Sequence, residues 1–206
     1  MLNMDEKELT ELRIDVLTEI SNIGTGKAVR SISSMLNGNI DIEVPDIRLL
    51  KFSELAEAVG GAERAMVGIL VNLQKELSGM VMFLIDYDSA MALIGDLMGN
   101  TEKKQCEGFS EMELSAVTEL GNIIAGSYLS AISSFTGLNA ATSVPELSVD
   151  MAGAILSVPA TEYGKVSDSV LMIQSDIKSE RFNVTGNFIL APTVESFDKM
   201  VEALWE

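Results

Sequence analysis

Apolar residues at Leu9, Leu12, Val16, Ile20 and Ile23 step along the chain by three and four, the spacing of one buried helical face. The helix is predicted to start near Asp5, whose carboxylate can cap it, with Glu8 three residues on as in a capping box. Gly24 and Gly26 interrupt the pattern, each costing about 1 kcal/mol in a helix interior. Helical spacing resumes at Ala28, Val29, Ile32, Met35 and Leu36, and Asn37-Gly38 suits a C-cap. The pattern therefore predicts one helix bent at the glycines or two helices in line. Ile40 to Val44 alternates like a strand and ends at Pro45. Ala65 to Leu73 and Ser78 to Ile85 read as a hairpin around Gln74-Lys75-Glu76. Tyr87 to Met98 reads as a helix, with Asp86 or Asp88 as N-cap and Gly99-Asn100 as its stop.

The second half repeats this order. Ser110-x-x-Glu113 is a capping box ahead of another long amphipathic stretch. Strand-like runs follow at Ala152 to Val158, Ser169 to Ile177 and Phe182 to Ala191, then a terminal helix from Val194 to Trp205. The repetition extends to residue identities. Asp15 to Ile47 aligns without a gap on Ser115 to Leu147, and 11 of the 33 positions are identical. Unrelated sequences would share roughly two. The expected fold is a single α/β (α+β) domain over residues 1–206, built from halves 1–100 and 101–206. Each half is read as an α-β-β-β-α repeat with mainly antiparallel sheet, and the two are related by a pseudo-two-fold axis.

The identities include polar positions: Thr18 with Thr118, Glu19 with Glu119, Asn22 with Asn122, and Ser33 and Ser34 with Ser133 and Ser134. A packing repeat needs only its apolar periodicity kept, because burial is indifferent to side-chain detail on the wet face. At about 100° per residue, Asp15, Glu19 and Asn22 share one stripe, roughly a quarter-turn from the centre of the core stripe. Ser115, Glu119 and Asn122 do the same on the second helix. A carboxylate beside a carboxamide is a charged acceptor beside a neutral donor-acceptor. The amide cannot act as a general base at neutral pH, but it can orient a water, as glutamine does in GTPases. The carboxylate can take a lysine brought by a partner. Gly26 and Gly126, one turn on, remove side chains where another surface could approach. These residues alone do not separate a contact site from a catalytic one.

Composition narrows the chemistry. With 47% apolar residues and no apolar run near the length of a membrane span, the chain is expected to be cytoplasmic, without membrane insertion. The acidic, polar start is unlike a secretory or transit signal. The net charge of −17 argues against nucleic-acid binding, which relies on cations to neutralise phosphates. There is no histidine, so Ser-His and Cys-His nucleophile pairs are excluded, as is the commonest ligand of catalytic zinc. Cys106 is the only cysteine and sits in a charged loop beside Lys103 and Lys104. No Asp/Glu cluster has calcium-loop spacing, so no metal or other cofactor of its own is expected. A glycoside hydrolase would need two carboxylates flanking one bond; here they belong to separate repeats, and 5% aromatic residues is low for a sugar cleft.

The spacing Asp/Ser-x3-Glu-x2-Asn-x22-Pro resembles the signature of the CheC/CheX/FliY family of chemotaxis phosphatases. It occurs as Asp15-Glu19-Asn22-Pro45 and again as Ser115-Glu119-Asn122-Pro145, and the resemblance covers nearly the whole chain. It implies dephosphorylation of the response regulator CheY, at two equivalent centres. The regulator would bring an aspartyl phosphate, its Mg2+ and a lysine. Asn22 or Asn122 would orient the water, Glu19 or Glu119 would engage the lysine, and Asp15, Pro45, Ser115 and Pro145 would support the motif. The resemblance also implies a second partner, the receptor deamidase CheD, for which the segment Glu146 to Met151, and Asp150 above all, is the candidate contact. The rival reading is a non-catalytic adaptor, because the flagellar switch protein FliM resembles this fold without being a phosphatase.

Overall fold

The structure, a computed structural model, describes residues 6–36, 41–42, 46–99, 108–163, 169–178 and 183–203. Helix α1 runs unbroken from Glu6 to Leu36, so Gly24 and Gly26 lie inside one helix of 31 residues. It leads to β1 (Asp41–Ile42) and β2 (Asp46–Lys51). A single 3-10 turn at Phe52–Glu54 enters the short α2 (Leu55–Ala58). The hairpin β3 (Ala65–Lys75) and β4 (Gly79–Asp86) follows, then α3 (Tyr87–Leu97), whose N-cap Asp86 accepts bonds from the Asp88 and Ser89 amides. The second half gives α4 (Glu111–Thr136), β5 (Ala140–Thr142), β6 (Glu146–Met151), α5 (Ala152–Tyr163), β7 (Ser169–Lys178), β8 (Asn183–Pro192) and α6 (Val194–Glu202). The expected caps at Asp5 and Asn37-Gly38, the loop thiol Cys106 and Trp205 lie outside the described residues.

The strands form one eight-stranded sheet in the order β1-β7-β8-β4-β3-β5, with β2 also pairing β7 and β6 also pairing β3. Every described pairing is antiparallel. Exchanging each strand for its counterpart in the other half reverses this order and leaves it unchanged. The halves also trade strands. The early strands β1 and β2 of the first half lie on β7, and β5 and β6 of the second lie on β3. The central neighbours are β4 and β8, one from each half, with Phe83 opposite Phe188.

Two apolar layers sandwich the sheet. On one face Val67, Ile69, Val71, Phe83, Ile85, Ile173 and Phe188 pack with Val16 and Ile20 of α1, Leu120 and Ile124 of α4, Leu93 of α3 and Phe197 of α6. On the other face the alternate residues Met66, Leu70, Met82 and Leu84 pack with Leu55, Ile155 and Leu156. Because both faces are covered, β3 and β4 read as nearly continuous apolar runs. Gly68 of β3 admits α5 closely: a Cβ there would stand 2.8 Å from Ile155 Cγ2.

One expected element is corrected. Ala152 to Val158 reads as a strand but forms the first part of α5. The stretch is mainly apolar and holds the β-branched Ile155 and Val158, yet the helix runs on through Pro159. Its buried residues Ala152, Ile155, Leu156 and Pro159 follow helical spacing, which tertiary burial against the sheet selects. Each half therefore runs α-β-β-α-β-β-α, one strand and one helix more than the sequence pattern suggests. The strand expected at Ile40 to Val44 is described only at Asp41–Ile42.

Candidate functional site

The second long helix is anchored by its capping box. Ser110 Oγ accepts from the Glu113 amide at 3.3 Å while Glu113 Oε2 accepts from the Ser110 amide at 2.7 Å. Gly137, at φ 73°, closes the other end in the left-handed conformation that a residue with a Cβ adopts only at a cost. Between these caps Val117, Leu120, Ile124, Tyr128, Ala131 and Ile132 are buried against the sheet. The opposite face carries Ser115, Glu119, Asn122, Gly126, Ser130 and Ser134, all exposed. On α1 the buried residues Val16, Ile20, Gly24 and Ala28 likewise leave Asp15, Glu19, Asn22, Arg30 and Ser34 exposed. Each Glu-Asn pair therefore stands on the outer face of a helix whose inner face is core. Glu and Asn, three residues apart, are separated by about 4.5 Å of helix rise and can reach one object.

Among the described residues, the Glu19, Asn22, Glu119 and Asn122 side chains make no hydrogen bond or ion pair within the chain. The supporting positions differ. Ser115 is turned back into its own helix, its hydroxyl donating to the Glu111 carbonyl at 2.9 Å, and Asp15 is exposed. Pro145 is half-buried ahead of β6, and Pro45 lies outside the described residues. Asp150 is exposed on β6 opposite Met66, its Oδ1 accepting from the Met151 amide at 2.7 Å. Its neighbour Leu147 packs with the α1/α4 layer. Strand alternation therefore turns Asp150 to the α5 face, across the sheet from the Glu-Asn stripes. The structure brings the two long helices together and leaves Asp150 apart from them.

The contact between α1 and α4 holds features that motif spacing does not reveal. The Tyr128 ring stacks on Phe188 with centroids 3.6 Å apart, and its hydroxyl shares a 2.7 Å hydrogen bond with Thr25 Oγ1. Burial pushes its pKa up to about 12, partly offset by the Thr25 bond. Gly24 makes room for the ring, since a Cβ there would stand 2.6 Å from Tyr128 Cδ1. The sequence does hold a trace of this. Where the first copy has Gly24 and Ala28 the second has Ile124 and Tyr128, an exchange of sizes between paired positions. Lys27 reaches across as well, donating to Ser130 Oγ at 2.8 Å, the Ser130 carbonyl at 3.1 Å and Ser134 Oγ at 3.1 Å. Gly26 and Gly126 differ from Gly24: a Cβ at either would meet nothing within 4 Å.

Among the described residues no three His, Cys, Asp or Glu side chains gather as a metal site, and no helix is long and apolar enough to cross a membrane.

Comparison with known proteins returns the two motif-bearing segments. The model of the CheC-like family matches residues 12–48 and 112–149. Over 199 residues the chain is 35% identical to the CheY-P phosphatase CheC of Bacillus subtilis (strain 168), covering 95% of each. It is 32% identical over 127 residues to the flagellar motor switch phosphatase FliY of the same organism, covering 61% of this chain and 32% of that protein. The X-ray structure of Thermotoga maritima FliY superposes with a TM-score of 0.73 at 22% identity, covering 100% of this chain and 98% of that one. The FliM middle domain from H. pylori superposes with a TM-score of 0.67 at 11% identity, covering 97% and 99%. Both structures share the fold.

Proposed function

Because this chain belongs to the CheC-like family, we propose that it is a phosphatase of the phosphorylated chemotaxis response regulator CheY, working at two centres on α1 and α4. The observation that carries this reading is the repeated, exposed Glu-Asn pair, whose four side chains are not committed to the fold around them.

The substrate is an aspartyl phosphate on the regulator. A water attacks phosphorus in line, the P–O bond to the aspartyl carboxylate breaks, and inorganic phosphate leaves with the carboxylate restored. The carboxamide of Asn22 or Asn122 has an oxygen to accept a hydrogen bond from that water and an NH2 to donate one to its oxygen, so it positions the nucleophile without taking a charge. Glu19 or Glu119 takes the regulator's lysine in a charge-assisted bond and sets the angle at which the asparagine enters. Magnesium belongs to the regulator's phosphate site and supplies charge neutralisation there. Nothing in this chain is assigned a metal. The flat ground at Gly26 and Gly126 allows the partner's surface to lie close to the helix. On this reading the protein acts in the cytoplasm, where the proposed substrate is found.

A second partner, CheD, is assigned to the opposite side of the sheet, where Asp150 stands on the edge strand β6 beside α5. Separate faces would let both partners bind at once.

The test is phosphate release from purified phosphorylated regulator. The Asn22→Ala/Asn122→Ala protein is expected to fold and to lose the activity, because truncating an exposed polar side chain typically shifts stability by no more than about 1 kcal/mol. Undiminished release by the folded double variant would overturn the assignment of the asparagines, and no acceleration of release by the wild-type protein would leave an adaptor of the FliM kind.

A further inference from the structure

The outer face of α4 carries one residue that the fold does not account for. Met112, in the first turn, is 69% exposed. Among the described residues it is the only large apolar side chain exposed on α1 or α4. Beyond it the exposed positions of α4 are Ser115, Glu119, Asn122, Gly126, Ser130 and Ser134, all polar or small.

The apolar spacing alone would place Met112 inside. Met112, Ala116 and Leu120 step by four, as Leu12, Val16 and Ile20 do on the first helix. Each step of four turns the side chain by about 40°, so Met112 stands about 80° from the buried Leu120 and clear of the core. The same turn brings it into the motif stripe. Glu119 comes seven residues later, about 20° around the helix and about 10.5 Å along it. Ala116 and Ile123, both half-buried, lie one turn before and one turn after Glu119. Apolar groups therefore border Glu119 on the side toward the core, with Met112 the outermost. Nor does Met112 serve the helix end, since Ser110 and Glu113 complete the capping box without it.

We infer that Met112 is a specificity residue of the second centre, an apolar anchor that takes an apolar side chain of the docked regulator beside the lysine engaged by Glu119. A carboxylate and a carboxamide in open water give little affinity, because an exposed ion pair is screened. A large apolar group beside them adds buried area and, by excluding water, strengthens the pair. Methionine suits this task, because its unbranched, polarizable chain fits an uneven surface. The anchor lies toward the N-terminus of α4 and the asparagine away from it, so the regulator docks in one direction along the helix.

The inference rests on the phosphatase reading, and two readouts separate their failures. In the Asn22→Ala background only the second centre works. There Met112→Gln is expected to raise KM about three- to tenfold with kcat changed less than about twofold. Met112→Leu should keep most of the affinity. The loss from Met112→Gln should be the same at low and high salt, whereas the loss from Glu119→Gln should shrink as salt rises. In the Asn122→Ala background, where only the first centre works, Met112→Gln should leave KM within about twofold. An equal loss in both backgrounds, or no loss in either, overturns the inference while leaving the phosphatase intact. The second readout does not depend on turnover. With isotope-labelled methionine methyl groups, the Met112 signal, identified by its absence from Met112→Leu, should shift when regulator loaded with beryllofluoride is added. A signal unmoved at saturating regulator overturns the anchor. Activity persisting in the Asn22→Ala/Asn122→Ala protein, with the Met112 signal still shifting, would remove the asparagine assignment and leave the anchor standing.

Discussion

Tyr128 joins the two motif helices through one hydroxyl, and its titration reports on that joint. Its ordinary pKa of 10.0 rises to about 12 in the folded chain, because burial disfavours the phenolate. The folded state therefore binds this proton more tightly than the unfolded one. The corresponding stability is fully present below pH 10 and is lost as pH rises from 10 to about 12. Two units correspond to roughly 2–3 kcal/mol. Chemical denaturation followed along that interval should show a steeper loss for the wild type than for Tyr128→Phe, the difference isolating this group from other tyrosines and lysines. At neutral pH Tyr128→Phe should cost about 1–3 kcal/mol, because Thr25 Oγ1 is left buried without its partner. Glu19, Asn22, Glu119 and Asn122 were legible in the sequence because they repeat on faces where burial does not require it. The Lys27 strap was not, since it depends on Ser130 and Ser134, more than a hundred residues away. No period along one helix encodes an acceptor on another.

At the scale of the element, the glycines of the long helices fall into two kinds, which substitution should separate. Gly24→Ala drives a methyl into a ring that stacking and a hydrogen bond hold in place, and about 1–3 kcal/mol of stability should be lost. Gly26→Ala and Gly126→Ala add a methyl to open space in a helix interior and should each raise stability by about 0.5–1 kcal/mol. The same methyls stand on the proposed docking surface, so affinity for phosphorylated regulator should fall while thermal stability rises. Parallel unfolding and binding measurements would show the two moving in opposite directions; affinity unchanged in both variants would place the docking surface elsewhere. Helices α1, α3 and α4 and the β3-β4 hairpin followed from spacing, caps and turn residues because these signals are local. The α5 helix was misread because a short, mainly apolar run with Ile155, Leu156 and Val158 suits a buried strand as well as a buried helix. The arbiter was Gly68 on a distant strand, whose missing side chain leaves room for Ile155.

Over the whole molecule, each half supplies strands that only the other half can receive. A chain divided between residues 99 and 109 should give two fragments that do not fold as monomers, because β2 and β6 would each lack the strand they pair with here. Mixed in equal amounts, they should recover the circular dichroism and sedimentation of the intact protein; a folded monomeric half would contradict the arrangement. The repeat itself was legible, since 11 identities in 33 positions point to duplication, but the exchange of strands was not, because sequence similarity says nothing about which copy a strand joins. That exchange bears on ancestry. Two copies of a single half, associated around an axis, would build a sheet of the same strand order, and the present chain has the arrangement of such a pair joined end to end. In an associated pair every substitution appears twice, so a bulky ring introduced on one side meets the same change reflected on the other. Splicing lifts that constraint: the chain can set Tyr128 beside Gly24 while its twin positions hold Ala28 and Ile124, and each half is free to evolve as the complement of its sister and not as her replica.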